Sequence, residues 1–196
     1  MKMKSKIMAI ALFLLILWLP LLQTEAKEEM PVPPRVQIPI LLKVLTYDRN
    51  FERKVGDKLV IGILYDSQDD DSKKIKEKLL DVLDSLSGKT VKDAPFTYVD
   101  LGYSSEESLR NSIVSKNIDV LYLAPGGVLY LKSIVQISQK YKILTITGVP
   151  DYVKKGISVG IGLKDKKPEI WINLGSTKAE GSDFTANLLK LCKIIR

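Results

Sequence analysis

Two short stretches carry residue types suited to holding a ligand, Asp66-Ser67 and Gly126-Gly127. The first ends the apolar run KLVIGILYD. The second lies in Ala124-Pro125-Gly126-Gly127, which follows the apolar run DVLYLA and opens an apolar helical pattern. Free backbone amides at a strand-to-helix turn could hold an anion. Open parallel sheets bind ligands outside the carboxyl ends of their strands, and Asp66 and Ser67 would share that rim. A tight turn accounts for the glycines equally well. Gly160-Ile161-Gly162 has phosphate-loop spacing, but it lies within a strand pattern rather than between a strand and a helix. We read it as a bend or a close backbone approach.

Catalytic chemistry finds little support. The chain has no histidine, which removes the commonest general base and metal ligand. Asp48, Asp66, Asp100 and Asp151 fall at element ends, but no spacing singles out a working pair, and no G-x-S-x-G nucleophile motif is present. The expectation is therefore no catalytic residue, no cofactor and no metal site. The one cysteine, Cys192, lies among Phe184, Leu188, Leu191 and Ile195 at helical spacing. Read as part of a core-facing stripe, it acts as a small hydrophobe and not as a reactive thiol.

The elements that would position these residues are legible from periodicity. Lys27 to Pro39 contains four prolines and reads as an extended lead-in, and Ile40 to Phe51 reads as a short helix. Strands are expected at 58–66, 96–101, 119–124 and 143–149. Helices are expected on the stripe from Ile75 to Leu86, from a capping box at Ser104 and Glu107 to about Lys116, and over about 128–140. Alternation with short links predicts an α/β fold in three layers, a mainly parallel sheet with helices on both faces. Two strands, 157–163 and 168–174, then suit a hairpin, and a terminal helix is expected from Ser182 to Ile195.

At the other end, the basic Met1 to Lys6 precedes the apolar Ile7 to Leu22 and the segment QTEA. We read residues 1–26 as a secretory signal cleaved after Ala26, the alternative being a retained anchor. Cleavage would leave 170 residues, suited to one domain, and lower the net charge from +7 to +5. The positive charge is scattered and opposed by Asp69-Asp70-Asp71, so no nucleic-acid partner is expected.

From Ile143 onward the order of features resembles the YfiR-like family: a strand at Ile143 to Val149, Gly156 before a strand pair, Ile172-Asn173 ending the second strand, and Leu188-Leu189 within the terminal segment. ILLKVLTYDRNF followed by KLVIGILYD also resembles that family's opening helix and first strand, so the likeness covers most of Ile40 to Ile195. The resemblance implies a single domain over residues 40–196 and a periplasmic regulator that is not an enzyme. Such a protein represses a membrane-bound diguanylate cyclase by contact and keeps cyclic di-GMP, and biofilm output, low until an outer-membrane lipoprotein draws it away. It also implies a possible homodimer. Better-known relatives carry several cysteines, and Lys155 stands where many have a glycine. Tyr47 and Phe51 would be partner-binding anchors if exposed; the alternative is that both pack on the sheet. A solute-binding component of a transport system is the competing expectation.

Overall fold

The computed structural model describes residues 28–196; the expected export signal, residues 1–26, lies outside them. The chain runs α1 (Pro34–Leu45), α2 (Phe51–Lys54), β1 (Leu59–Asp66), α3 (Asp70–Ser85), β2 (Thr90–Val91), β3 (Ala94–Tyr103), α4 (Glu106–Ser115) and β4 (Val120–Leu123). A 3-10 turn at Val128–Tyr130 then leads into α5 (Leu131–Tyr141), β5 (Leu144–Thr147), α6 (Pro150–Lys154), β6 (Val159–Lys164), β7 (Lys167–Asn173), α7 (Leu174–Ala179), α8 (Ala186–Leu189) and β8 (Lys193–Ile195). One eight-stranded sheet has the order β2-β3-β1-β4-β5-β6-β7-β8. It is parallel except at β2–β3 and at the β6–β7 hairpin. The α/β, three-layer, mainly parallel arrangement and the hairpin are those expected from the sequence. Among the described residues no helix is long and apolar enough to cross a membrane.

The central strands read as continuous apolar runs because both their faces are covered. In β1, Leu59, Ile61 and Ile63 face one core while Val60 and Leu64 face the other. The first core is closed by Ile38, Leu41, Val44 and Leu45 of α1 and by Leu79 and Leu83 of α3. The second is closed by Leu109 and Ile113 of α4, by Leu131, Ile134 and Ile137 of α5, and by Tyr152 of α6. A methyl group on Gly62 would lie only 2.6 Å from the Leu101 Cδ1, so the smallness of this residue lets the second core close.

Three expectations need correction. The first helix begins at Pro34, inside the supposed extended lead-in, and ends at Leu45. Proline is tolerated at the first helical position because the amide there needs no partner, and the buried stripe runs from Pro34 through Gln37, Ile38, Leu41 and Val44 to Leu45. The α4 cap is Ser105, whose hydroxyl accepts from the Ser108 amide; Ser104 lies one residue too early. The terminal segment is helical only over Ala186–Leu189, after which Lys193–Ile195 pairs in parallel with Trp171–Asn173. The β-branched Ile194 and Ile195 suit a strand better than a helix end, and β7 offers them an open edge. Leu191 consequently points into solvent, 79% exposed. Cys192 is half-buried, its thiol donating to the Leu188 carbonyl at 3.1 Å.

Candidate functional site

From β1 the chain crosses to β3 on one side of the sheet and then returns to β4 on the other. The carboxyl ends of β1 and β4 therefore border the crevice where strand order reverses, the place where open α/β sheets take ligands. Asp66 ends β1 there and Ala124 to Gly127 follow β4. The two ends are stitched together: the Asp66 amide donates to the Ser72 hydroxyl at 3.0 Å, and that hydroxyl donates to the Pro125 carbonyl at 2.5 Å. Gly126 has φ +99°, and a side chain on it would lie 3.2 Å from the Asp66 Cβ and 3.1 Å from an Asp69 carboxylate oxygen. Only glycine fits that left-handed, crowded position comfortably.

Of the four rim residues, Asp66, Gly126 and Gly127 come together, but with their polar groups committed. The Asp66 carboxylate accepts from the Gln68 amide at 2.8 Å. Ser67 turns away, donating to the Tyr103 carbonyl at 3.3 Å. The Gly127 amide donates to the Tyr152 hydroxyl at 2.8 Å. That hydroxyl and the Gly126 amide both donate to one oxygen of the Glu28 carboxylate. Burial, followed by the Glu28 carboxylate, pushes the Tyr152 phenol well above its ordinary value. The rest of the arm continues over the sheet end. The Tyr122 hydroxyl lies 3.8 Å from the Met30 sulfur and donates to the Gln37 carbonyl oxygen at 2.8 Å, while the Gln37 amide donates to the Val32 carbonyl. Glu28 and Tyr152 escape sequence reasoning because one lies in a proline-rich lead-in and the other in an unrecognised one-turn helix.

A second polar cluster was also invisible in the sequence. Glu180, fully buried just after α7, accepts from the Ser138 hydroxyl, the Thr145 hydroxyl and the Thr145 amide, each at 2.8 Å, and from the Ser158 hydroxyl. It ties α5, β5 and the start of the hairpin to the carboxyl-terminal segment. Burial raises its pKa above the ordinary carboxylate value, against the opposing pull of those hydrogen bonds.

Tyr47 and Phe51 have different settings. Phe51 is buried at 4% exposure and belongs to the first core, so it offers no anchor to a partner in this conformation. Tyr47 is half-buried and packs on the same core. Between them, buried Asp48 receives the Asn50 and Asp183 amides, both at 2.9 Å. Asp100 pairs with the buried Lys76, and Asp151 with the exposed Lys154 in a surface ion pair.

A groove of about 810 Å³ opens at the opposite, amino-terminal end of the sheet, lined by Lys54, Lys58, Asp119 and Lys142 among others. Three of these groups serve the fold: Lys54 donates to the Glu180 carbonyl and the Ser182 hydroxyl, Lys142 to the Ala179 carbonyl, and Asp119 accepts from the Val60 amide. A groove of about 500 Å³ lies beside the amino-terminal arm, bordered by Glu28, Met30, Lys74, Ile75, Lys78 and Pro125.

Comparison with solved structures finds the same fold in several proteins. A conserved domain protein from Vibrio cholerae aligns with a TM-score of 0.59 at 11% identity, over 84% of this chain and 60% of its own. An ABC domain in complex with L-Trp from Streptococcus pneumoniae aligns at 0.57 and 12% identity, over 84% and 60%. An open, ligand-free substrate-binding protein with adhesive properties from Clostridium difficile aligns at 0.51 and 19% identity, over 70% and 54%. This chain thus spans less than two thirds of each of these proteins. No curated protein matches it. At the level of sequence families, residues 35–193 match YfiR/HmsC-like proteins, from the first turn of α1 into β8. The chain belongs to the YfiR/HmsC-like family.

Proposed function

We propose that this chain is an exported regulatory binding protein that represses an inner-membrane diguanylate cyclase by contact with the periplasmic part of that enzyme, and so lowers cyclic di-GMP. It performs no turnover of its own. An outer-membrane lipoprotein is the proposed antagonist, and a homodimer the proposed oligomeric form. The observation that carries this reading is family membership across residues 35–193. The basic and apolar start of the sequence supports export, with cleavage after Ala26.

The competing reading is a solute-binding component, favoured by the fold shared with a substrate-binding protein. In this conformation the crevice at the strand ends is filled by the chain's own Glu28 and Tyr152, which favours action through protein contact.

The test is deletion of the gene with cyclic di-GMP measured in the cell. A rise that is reversed by the full chain, and not by one lacking residues 1–26, is the expected result. An unchanged level together with a defect in uptake of one solute would replace the regulatory reading with the solute-binding one.

A further inference from the structure

The Glu28 carboxylate rests on two donors that belong to rigid parts of the fold. Tyr152 is 1% exposed, and its oxygen accepts from the Gly127 amide, which aims the hydroxyl proton outward. Gly126 is wedged against Asp66 and Ser72 by its crowded, left-handed conformation. The nearby aspartates do not compete for these donors. Asp66 is turned onto the Gln68 amide, and Asp69 caps α3 by accepting from the Asp71 and Ser72 amides. The donors thus form a preorganised cradle for one carboxylate oxygen, placed at the reversal point of the sheet.

The group filling the cradle comes from an element without regular structure. Residues 28–33 belong to no helix or strand, and Glu29 is exposed. Past the 3.8 Å contact of the Met30 sulfur with the Tyr122 hydroxyl, the arm is anchored at Val32, which is buried in the first core and held by the Gln37 amide. The groove of about 500 Å³ beside the arm is within the size range of small-ligand pockets. Met30, Ile75 and Pro125 give it apolar walls, and its charged border carries Lys78 and Glu29 together with the Lys74–Asp71 pair, whose charged atoms lie 3.4 Å apart.

We propose that the crevice between the ends of β1 and β4 is a binding site for the carboxylate of a small organic acid, occupied in cis by Glu28. An incoming acid takes the Gly126 amide and the Tyr152 hydroxyl, places its apolar body in the adjoining groove, and releases the arm. Glu28 acts as a tethered competitor whose local concentration is in the millimolar range for a short flexible link. Any acid must outcompete it, so removing the Glu28 carboxylate uncovers the site. Such a site is independent of the regulatory reading and stands even if that reading fails.

Sodium phenylacetate is a suitable probe, with matched sodium chloride as the control, followed through the backbone amide resonances of the full chain. In Glu28→Ala, phenylacetate should shift the Gly126 and Gly127 amides saturably, at least tenfold more tightly than in the parent chain, and chloride should not. Glu28→Gln keeps a neutral acceptor on the arm and should fall between the two. Equal affinity in parent and Glu28→Ala, no saturable shift at Gly126, or the same shift with chloride would each overturn the proposal and leave Glu28 as a structural tether. Both substitutions lie on the arm, outside either core, and amide dispersion checks that the fold is kept.

Discussion

Replacing Glu180 by alanine removes the acceptor of several buried donors at once. The Thr145 amide, the Thr145 hydroxyl and the Ser158 hydroxyl lose their partner, while the Ser138 hydroxyl keeps a second acceptor in the Val135 carbonyl. Each buried donor left unsatisfied costs about 1–3 kcal/mol, so three give about 3–9 kcal/mol. Relief of the burial penalty on the carboxylate offsets part of this, and a net loss of about 3 kcal/mol is expected for Glu180→Ala. That is a large share of the roughly 5–15 kcal/mol typical of a domain. Urea unfolding measures it as a lower midpoint at unchanged slope. Glu180→Gln keeps one acceptor oxygen and should lose about half as much. The pH dependence has a definite sign. Because the folded-state pKa lies above the ordinary carboxylate value, the folded chain holds the proton more tightly than the unfolded one. The contribution of this group is fully present below the ordinary glutamate pKa and is lost as pH rises through the raised folded value. Glu180→Gln should abolish that slope while leaving the remaining pH dependence in place. A loss under about 1 kcal/mol in Glu180→Ala would refute the view that these hydrogen bonds hold the carboxyl-terminal segment to the sheet.

Gly126→Ala should destabilise the chain by about 1–3 kcal/mol, because the residue is held at positive φ and a methyl group would crowd Asp66, Asp69 and Ser72 at 3.1–3.2 Å; thermal unfolding reads the loss. Phe51→Ala should cost about 3–5 kcal/mol as a core truncation, measured by urea unfolding, and a loss below about 1 kcal/mol would contradict its burial. Burial, then the Glu169 carboxylate, pushes the Cys192 thiol up to about 11. Alkylation by iodoacetamide near pH 8 should therefore run at least about tenfold slower than for free cysteine, and Cys192→Ala should cost about 1 kcal/mol of stability.

The central sheet was legible because each strand carries enough apolar residues to supply two cores. KLVIGILYD and DVLYLA have no other comfortable setting than a strand covered on both faces. The carboxyl terminus misled because Phe184, Leu188, Leu191, Cys192 and Ile195 satisfy helical spacing, while the deciding factor, an unpaired edge on β7, is tertiary. The rim was located correctly from the order of strand and turn, and Asp66 does meet Gly126 there. Its occupant was not legible. Glu28 reaches Gly126 across 98 residues of sequence, and no local pattern marks a carboxylate for such a distant partner. Glu180 was hidden for the same reason, since its donors lie 22 to 42 residues away in the chain.

The suture around Asp48 sets the order in which the molecule can be completed. Arg49 and Asn50 bond to Asp183 and Gly181, the Thr185 amide donates to the Tyr47 carbonyl, and Asp48 bridges to Phe184. On a ribosome, Asp48 and Arg49 emerge 135 and 134 residues before the Asp183 that seals them. At ordinary rates of synthesis that interval is on the order of ten seconds. Throughout it, Phe51 and its neighbours lack their final cover, and contacts this distant in sequence are among the slowest to close. The nascent chain thus stays short of its native state until Asp183 and Phe184 are made. Under the export proposed above such a delay helps, because a finished core would have to be undone at the pore.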